Sequence, residues 1–135
     1  MTTIASLPIR ERHAVALPYG RRAPAVARHI TERWLKTTDQ PDRVADAVLV
    51  VSELVTNAVC HTRDSCLLTL TLSGGQLDIA VADHGEELPD LHARAGGGER
   101  GGFGMKIVSQ LGEQVRVVPA LEGKTVHVLL GLEEG

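Results

Sequence analysis

The segment from Val44 to His61 is apolar on nearly all sides when it is drawn as a helix. At about 100° per residue, valines and an alanine line one face, while Leu49, Val50 and Leu54 lie on other sides. A helix with so little polar surface is expected to be covered by the rest of the chain. The segment therefore predicts a mostly buried helix, and its few polar residues need an explanation.

Glu53 and Asn57 form a narrow polar strip on this helix, and His61 follows one turn later. Residues four positions apart stack on one side of a helix, so a carboxylate, an amide and an imidazole are predicted to converge. The ordinary alternative is a solvated strip on an amphipathic helix, because charged side chains usually face water. The strip is thin for that role, and its residues are therefore candidates for chemistry.

The composition limits the class of protein. A chain of 135 residues has the length of one domain. The net charge of −3, with one Trp, one Tyr and one Phe, argues against nucleic acid as a direct partner. Cys60 and Cys66 match no zinc or disulfide pattern and are interpreted as reduced, semi-buried thiols. No signal peptide or membrane span is recognised, so we expect a cytoplasmic protein without a membrane partner.

The hydrophobic period predicts the order of the elements. One domain is expected over 13–131, after a mobile segment at 1–12 and before a tail at 132–135. Strands are predicted at 13–18, 66–72, 76–82, 115–118 and 125–130, and helices at 21–36, from about 42 to 61 and at 103–111. A mobile loop or lid is predicted at 84–102, which is rich in glycine and charge.

The order of these elements indicates the fold class. Strands do not alternate regularly with helices, as they would in a doubly wound parallel sheet. Ser73-Gly74-Gly75 between two β-rich runs is typical of a tight hairpin. We therefore expect an α+β two-layer sandwich, with a mostly antiparallel mixed sheet and three helices on one face.

Two further motifs could carry chemistry. Asp83-His-Gly85 ends a predicted strand, and glycines at 101, 102 and 104 precede a predicted helix. Each has an ordinary explanation, as a strand-end cap and as simple flexibility. Yet glycines at a helix entrance also let backbone N–H groups approach a phosphate, and a carboxylate can accept hydrogen bonds from an exocyclic amino group.

A phosphate-binding P-loop is excluded. Gly123-Lys124-Thr125 resembles the end of that motif, but Val118 stands where the first glycine is needed, and a strand follows instead of a helix. The histidines show no metal-ligand spacing either.

Taken in order, the three motifs resemble those of the GHKL superfamily of ATPases and kinases. Glu53-Leu-Val-Thr-Asn57-Ala-Val-Cys-His61 is similar to its N box, and Asp83-His-Gly85 to its G1 box. Gly102-Phe-Gly104-Met-Lys-Ile-Val108 is similar to its G2 box. The resemblance covers about residues 13–131. The first motif is most similar to that of bacterial anti-sigma-factor serine/threonine protein kinases, in which this ATP-binding domain stands alone.

The resemblance implies a Bergerat-type fold that binds ATP and Mg²⁺. It implies that Glu53 is the catalytic base, that Asn57 gives a neutral oxygen to Mg²⁺, and that Asp83 binds the adenine amino group. The other nucleotide contacts that it implies are His61, Gly85, Gly102, Gly104, Met105 and Thr125.

The chain departs from the family pattern at two places. Glu87 stands where the G1 box usually has a second glycine, with Glu86 beside it, and this negative charge is expected to weaken nucleotide binding. Met105 replaces the usual leucine of the G2 box, a change that conserves volume and is expected to be harmless.

The leading hypothesis is an ATP- and Mg²⁺-dependent serine/threonine kinase that phosphorylates an anti-anti-sigma (STAS-type) partner and also binds a sigma factor. One alternative is a non-catalytic, nucleotide-gated binding module. Another is the orphan ATP-binding half of a histidine kinase. Dimers are common in the resembling family, and an exposed sheet edge could support a homodimer here.

Overall fold

A computed structural model describes residues 9–38, 43–62, 64–85, 111 and 114–132, with only the backbone at 9, 10, 61 and 62. Within these residues the elements are β1 (Ile9–Leu17), α1 (Ala23–Thr37), α2 (Val44–Thr62), β2 (Cys66–Ser73), β3 (Gln76–Asp83), β4 (Gln114–Ala120) and β5 (Gly123–Gly131).

The described strands form one sheet in the order β1-β2-β3-β5-β4, and each neighbouring pair is antiparallel. The expected α+β class is confirmed. The sheet is wholly antiparallel over these strands, whereas a mixed sheet was expected. Two of its pairs, β2–β3 and β4–β5, are hairpins, and the other two pairs, β1–β2 and β3–β5, also run antiparallel. The predicted helix at 103–111 lies outside the described residues, except for Leu111, whose backbone is helical.

One face of the sheet carries the core. Leu68, Val81 and Val126 lie side by side on β2, β3 and β5 and are buried, as are the residues two positions further along each strand. Val51 and Val55 of α2 join the same buried cluster. Because the inward residues of the strands alternate with outward ones, this cluster places the helices on a single face of the sheet.

The opposite face of the sheet is open. Leu67 is 43% exposed. The Oδ2 atom of Asp78 is 3.1 Å from Nδ1 of His127. A shallow cleft of about 320 Å³ between Thr71 and Arg116 also lies on this face. The cleft is therefore on the other side of the sheet from α2 and its polar strip.

The sequence of helix α1 suits both its first turn and its buried face. Pro24 occupies the first turn, where a missing N–H leaves no hydrogen bond unmade. Ala27, Thr31 and Leu35 follow at helical spacing and are buried. The Thr31 hydroxyl donates to the Ala27 carbonyl oxygen at 2.8 Å, so its burial leaves no unsatisfied polar group.

All five described strands are longer than predicted, and β1 and β4 show how cross-strand pairing extends a strand. β1 begins at Ile9, so residues 9–12 belong to the sheet and not to the N-terminal segment predicted at 1–12; Arg12 donates to the Thr71 hydroxyl at 3.3 Å. β4 includes Pro119, which was predicted to lie in a loop. β4 is an edge strand, where a residue without N–H is tolerated.

Candidate functional site

The polar strip of α2 lies where the helix period predicted it. Glu53 and Asn57 are half-buried, while Leu54, Val55 and Ala58 between and beside them are buried. Core residues therefore border the strip on one side, while Ser52 and Thr56 on its other side are partly exposed. The side chain of His61, the third predicted member, lies outside the described residues.

The side-chain oxygen of Asn57 is buried and has no hydrogen-bond partner among the described residues. A buried polar atom without a partner typically costs about 1–3 kcal/mol, and native structures contain few of them. A neutral amide oxygen is a suitable ligand for a hard cation such as Mg²⁺. The free acceptor therefore fits the metal role that the sequence predicts for Asn57.

Glu53 lies one helical turn before Asn57. Partial burial among apolar neighbours raises the pKa of Glu53 above its ordinary value of 4.5. A carboxylate that is harder to keep charged is a stronger proton acceptor. Glu53 thus has the environment of a general base, on the same helix face as a candidate metal ligand.

The second part of the site lies at the end of β3. Asp83 is buried, and its Oδ1 accepts a hydrogen bond from the Gly85 backbone N–H at 2.8 Å. Lys124 donates to Oδ1 at 3.0 Å and is 3.2 Å from Oδ2. The predicted strand-end cap is therefore present, and an ion pair is added to it.

The ion pair belongs to a row of side chains across the end of the sheet. Cys66 of β2, Asp83 of β3 and Lys124 of β5 occupy successive positions on the face that carries the helices. Burial, and then the charge of Asp83, raises the pKa of Cys66 to about 11, so its thiol is neutral. Both thiols were predicted to be semi-buried. In the structure Cys66 is buried and Cys60 is exposed.

Gly123 allows the β4–β5 turn to approach Asp83. A Cβ added at Gly123 would overlap the Asp83 carbonyl oxygen and lie 2.8 Å from the His84 Cα. No side chain fits there, so the glycine is required for the contact that brings Lys124 to Asp83.

The two parts of the site are at the same end of the molecule. Asp64 follows the C-terminal end of α2, and its Oδ2 is 3.2 Å from Nδ1 of His84, the residue after Asp83. The C-terminal half of α2 and the end of β3 are thereby brought together. The arrangement combines a proton acceptor, an oxygen acceptor for a cation and a buried carboxylate.

The predicted site residues divide into three groups. Glu53, Asn57, Asp83 and Gly85 are described and lie at this end of the molecule. Thr125 pairs with Ala82 and so faces the opposite side of the sheet from Asp83, and its adenine role stays a prediction. The residues that lie outside the described part are Gly102, Gly104 and Met105, with Glu86 and Glu87.

Sequence analysis missed Gly123 and Lys124 as members of the site. It considered the Gly-Lys-Thr run only as a P-loop and rejected it, and the rejection is consistent with Lys124 lying within a strand. The one available signal was a lysine at an otherwise apolar inward position of β5. A charged residue at such a position needs a buried partner.

Two features are absent from the described residues. No three acidic, histidine or cysteine side chains there are grouped so that they could hold a metal ion. Neither described helix is long and apolar enough to cross a bilayer.

Residues 20–129 match the histidine kinase-like ATPase domain family, and the chain therefore belongs to that family. The domain is of the GHKL type, as the three motifs indicated. Membership implies ATP binding. A comparison with curated protein sequences finds no significant match.

Two solved structures share the fold. One, of the RsbU and RsbW domains of Rv1364c from Mycobacterium tuberculosis, is 20% identical with a TM-score of 0.72, over 93% of this chain and 33% of that chain. The other, of the SiaB–SiaC complex from Pseudomonas aeruginosa, is 11% identical with a TM-score of 0.66, over 90% and 89% of the two chains. This chain thus spans a third of the first and nearly all of the second.

Proposed function

We propose that this protein is an ATP- and Mg²⁺-dependent serine/threonine protein kinase that acts on an anti-anti-sigma partner. Two side chains one helical turn apart carry the proposal. The buried oxygen of Asn57 has no hydrogen-bond partner within the described part of the chain, and burial raises the pKa of Glu53, a proton acceptor. A purely structural strip would satisfy its amide and solvate its carboxylate.

The proposed reaction assigns one step to each residue. A serine or threonine hydroxyl of the partner attacks the γ-phosphorus of ATP, the bond to the β–γ bridging oxygen breaks, and ADP leaves. Glu53 accepts the hydroxyl proton. Such transfer depends mainly on positioning and charge neutralisation, so a small number of residues is adequate.

Asn57 would hold the cation through its free oxygen. Mg²⁺ usually keeps several waters and bridges phosphate oxygens, so a single protein ligand is compatible with its chemistry, and bound Mg²⁺ would neutralise phosphate charge.

Asp83 would recognise the base. Its carboxylate is already held by the Gly85 N–H and by Lys124, and it accepts further donors through Oδ2. An exocyclic amino group is such a donor, which favours adenine.

Three considerations support a protein as the substrate. The first motif resembles the anti-sigma-factor kinases, whose substrates are STAS-type proteins. One structural neighbour contains an RsbW domain, and the other is seen in a complex of two proteins. We extend the proposal to a sigma factor as the second partner, and to the cytoplasm as the location; a homodimer stays a prediction.

The test measures binding and transfer separately. Calorimetric titration of the purified protein with ATP, with and without Mg²⁺, measures nucleotide affinity. Incubation with radiolabelled ATP and a purified STAS-type protein measures transfer by the unchanged protein and by Glu53→Gln. Glu32→Gln, on the exposed face of α1, is the matched control. Labelled phosphoserine or phosphothreonine on the STAS-type protein is expected.

Two other outcomes separate the alternatives. Tight ATP binding without transfer to any STAS-type protein would favour the nucleotide-gated binding module. Transfer to a histidine of another chain would favour the orphan half of a histidine kinase. Absence of any ATP binding would overturn the proposal as a whole.

A further inference from the structure

The Asp83–Lys124 pair is sealed from solvent. The side chain of Lys124 is 6% exposed and that of Asp83 is 3% exposed. Removing two charges from water is costly, and a buried ion pair stabilises a fold poorly compared with apolar residues of similar volume. Stability alone is therefore a weak reason for this chain to place a lysine at an inward position of β5.

The hydrogen bonds of Asp83 leave one oxygen incompletely used. Oδ1 accepts from the Gly85 N–H at 2.8 Å and from Lys124 at 3.0 Å, which fills its two lone pairs. Among the residues that the structure describes, Oδ2 has Lys124 at 3.2 Å as its partner and retains one further lone pair. The carboxylate can thus accept one more N–H donor while Lys124 stays in place.

Two other described residues, Cys66 and His84, lie beside Asp83. Cys66 on β2 is a neutral thiol. His84, the residue between Asp83 and Gly85, contacts Asp64 instead: its Nδ1 is 3.2 Å from Asp64 Oδ2. Among the described residues, Lys124 is therefore the countercharge in contact with the Asp83 carboxylate.

We propose that Lys124 sets the purine preference of the site by keeping Asp83 a charged hydrogen-bond acceptor. The inference rests on the proposed function, since it assumes that a nucleotide base meets Asp83. A charged carboxylate only accepts, so it pairs with the 6-amino group of adenine and opposes the 6-carbonyl oxygen of hypoxanthine or guanine. Lys124 is accordingly a positioning residue that acts on the base through Asp83.

Loss of the ammonium should change the chemical character of Asp83. A carboxyl group buried without a countercharge favours its neutral form. The protonated group has an O–H donor as well as an acceptor, and it can donate to a 6-carbonyl oxygen. Removing Lys124 should therefore relax the discrimination against 6-oxopurines and make that discrimination depend on pH, which a structural defect alone would not do.

The experiment compares Lys124→Met with the unchanged protein. The affinities of Mg-ATP and Mg-ITP are measured by calorimetry at about pH 6.0 and about pH 7.5, on the two sides of neutrality. ITP carries a carbonyl where ATP carries the amino group, and both share the same triphosphate, so the ratio of affinities cancels phosphate titration. Lys36→Met, which removes an exposed lysine paired with Glu32 at 3.2 Å, is the matched control.

The unchanged protein and Lys36→Met are expected to prefer ATP by a ratio that is the same at both pH values. In Lys124→Met the ratio is expected to fall by at least about 10-fold, and to fall further at the lower pH. Lys124→Arg keeps the charge and should keep the preference. If Lys124→Met does not fold, Lys124→Gln, which also lacks the charge, replaces it and the same fall is expected.

Two results would overturn the inference. An ATP-to-ITP ratio that stays high and independent of pH without the lysine would show that Asp83 needs no countercharge to read the base. A lower affinity for both nucleotides with an unchanged ratio would reduce Lys124 to a structural residue. If the unchanged protein bound neither nucleotide, the proposed function would fail first, and this inference with it.

Discussion

The two ends of α2 treat their polar groups in opposite ways. At the N-terminal end, Arg43 uses all three of its guanidinium nitrogens, donating to Asp46 Oδ2, to the Gly131 carbonyl oxygen and to the Leu111 carbonyl oxygen, each at 3.0 Å. In the C-terminal half, the Asn57 oxygen is buried and has no partner among the described residues. Arg43 is therefore fully paired, whereas the Asn57 oxygen lacks a partner in the described ranges.

The difference separates structural from functional polar groups. Arg43 has a φ of 62°, a conformation that costs a non-glycine residue about 1 kcal/mol, and its three bonds hold it there. It ties α2 to the last strand and to Leu111. Asn57 gains nothing comparable from the described chain, so the cost of burying it is best explained by a ligand that completes it.

The largest effect expected at the functional end is on the chemical step. Glu53→Gln removes the proton acceptor while keeping the shape of the side chain, so phosphate transfer should fall by roughly 10²–10⁴-fold. ATP affinity should stay within about 3-fold, because Glu53 acts on the attacking hydroxyl. Single-turnover transfer from radiolabelled ATP measures the rate. An unchanged rate would remove Glu53 from the mechanism.

The next effect is on cation-dependent binding. Asn57→Leu replaces the amide by an apolar group of similar size, and Mg²⁺-dependent ATP affinity should fall by roughly 10–100-fold. Because the lost oxygen has no partner, the free energy of unfolding should stay the same or rise by about 1 kcal/mol. Calorimetry and urea unfolding measure the two quantities. A variant that is both destabilised and still binds Mg-ATP would contradict the functional assignment of this end.

The opposite result is expected at the structural end. Arg43→Met removes the bonds to two carbonyl oxygens and to Asp46, and the free energy of unfolding should fall by about 1–2 kcal/mol. Arg33→Met, on the exposed face of α1, is the control and should change it by less than about 0.5 kcal/mol. Per folded molecule, ATP affinity should be unchanged. A loss of affinity without a loss of stability would end the distinction between the two ends of α2.

Local patterns predicted the polar strip of α2, but they did not predict the contacts that Arg43 and Lys124 make. The strip on α2 depends on a period of 3.6 residues within one helix, so Glu53 and Asn57 could be found from the sequence. The partners of Arg43 are 88 and 68 residues away, and Lys124 is 41 residues from Asp83. Those contacts depend on strand register, which no local pattern specifies.

The same reason explains the errors in strand ends. Glu11 and Pro119 are of residue types that are depleted in strands, and each is placed in the sheet by the neighbour it pairs with. The turn residue Gly123 is required because two backbones approach, a fact visible only once β3 and β5 are side by side. Element type was predictable from local patterns, while ends and cross-strand contacts were not.

The smallest expected effect is the pH dependence of stability that Glu53 contributes. Burial raises the pKa of Glu53 in the folded chain above the value of 4.5, so the folded state holds this proton more tightly than the unfolded state. Its contribution to stability is therefore fully present below pH 4.5 and is lost as the pH rises through the folded-state pKa. Glu53→Gln cannot titrate. Urea unfolding of both proteins across this pH range measures the difference in their stability. The unchanged protein should lose stability relative to the variant as the pH rises. A difference that is flat or of opposite sign would mean that Glu53 is not desolvated.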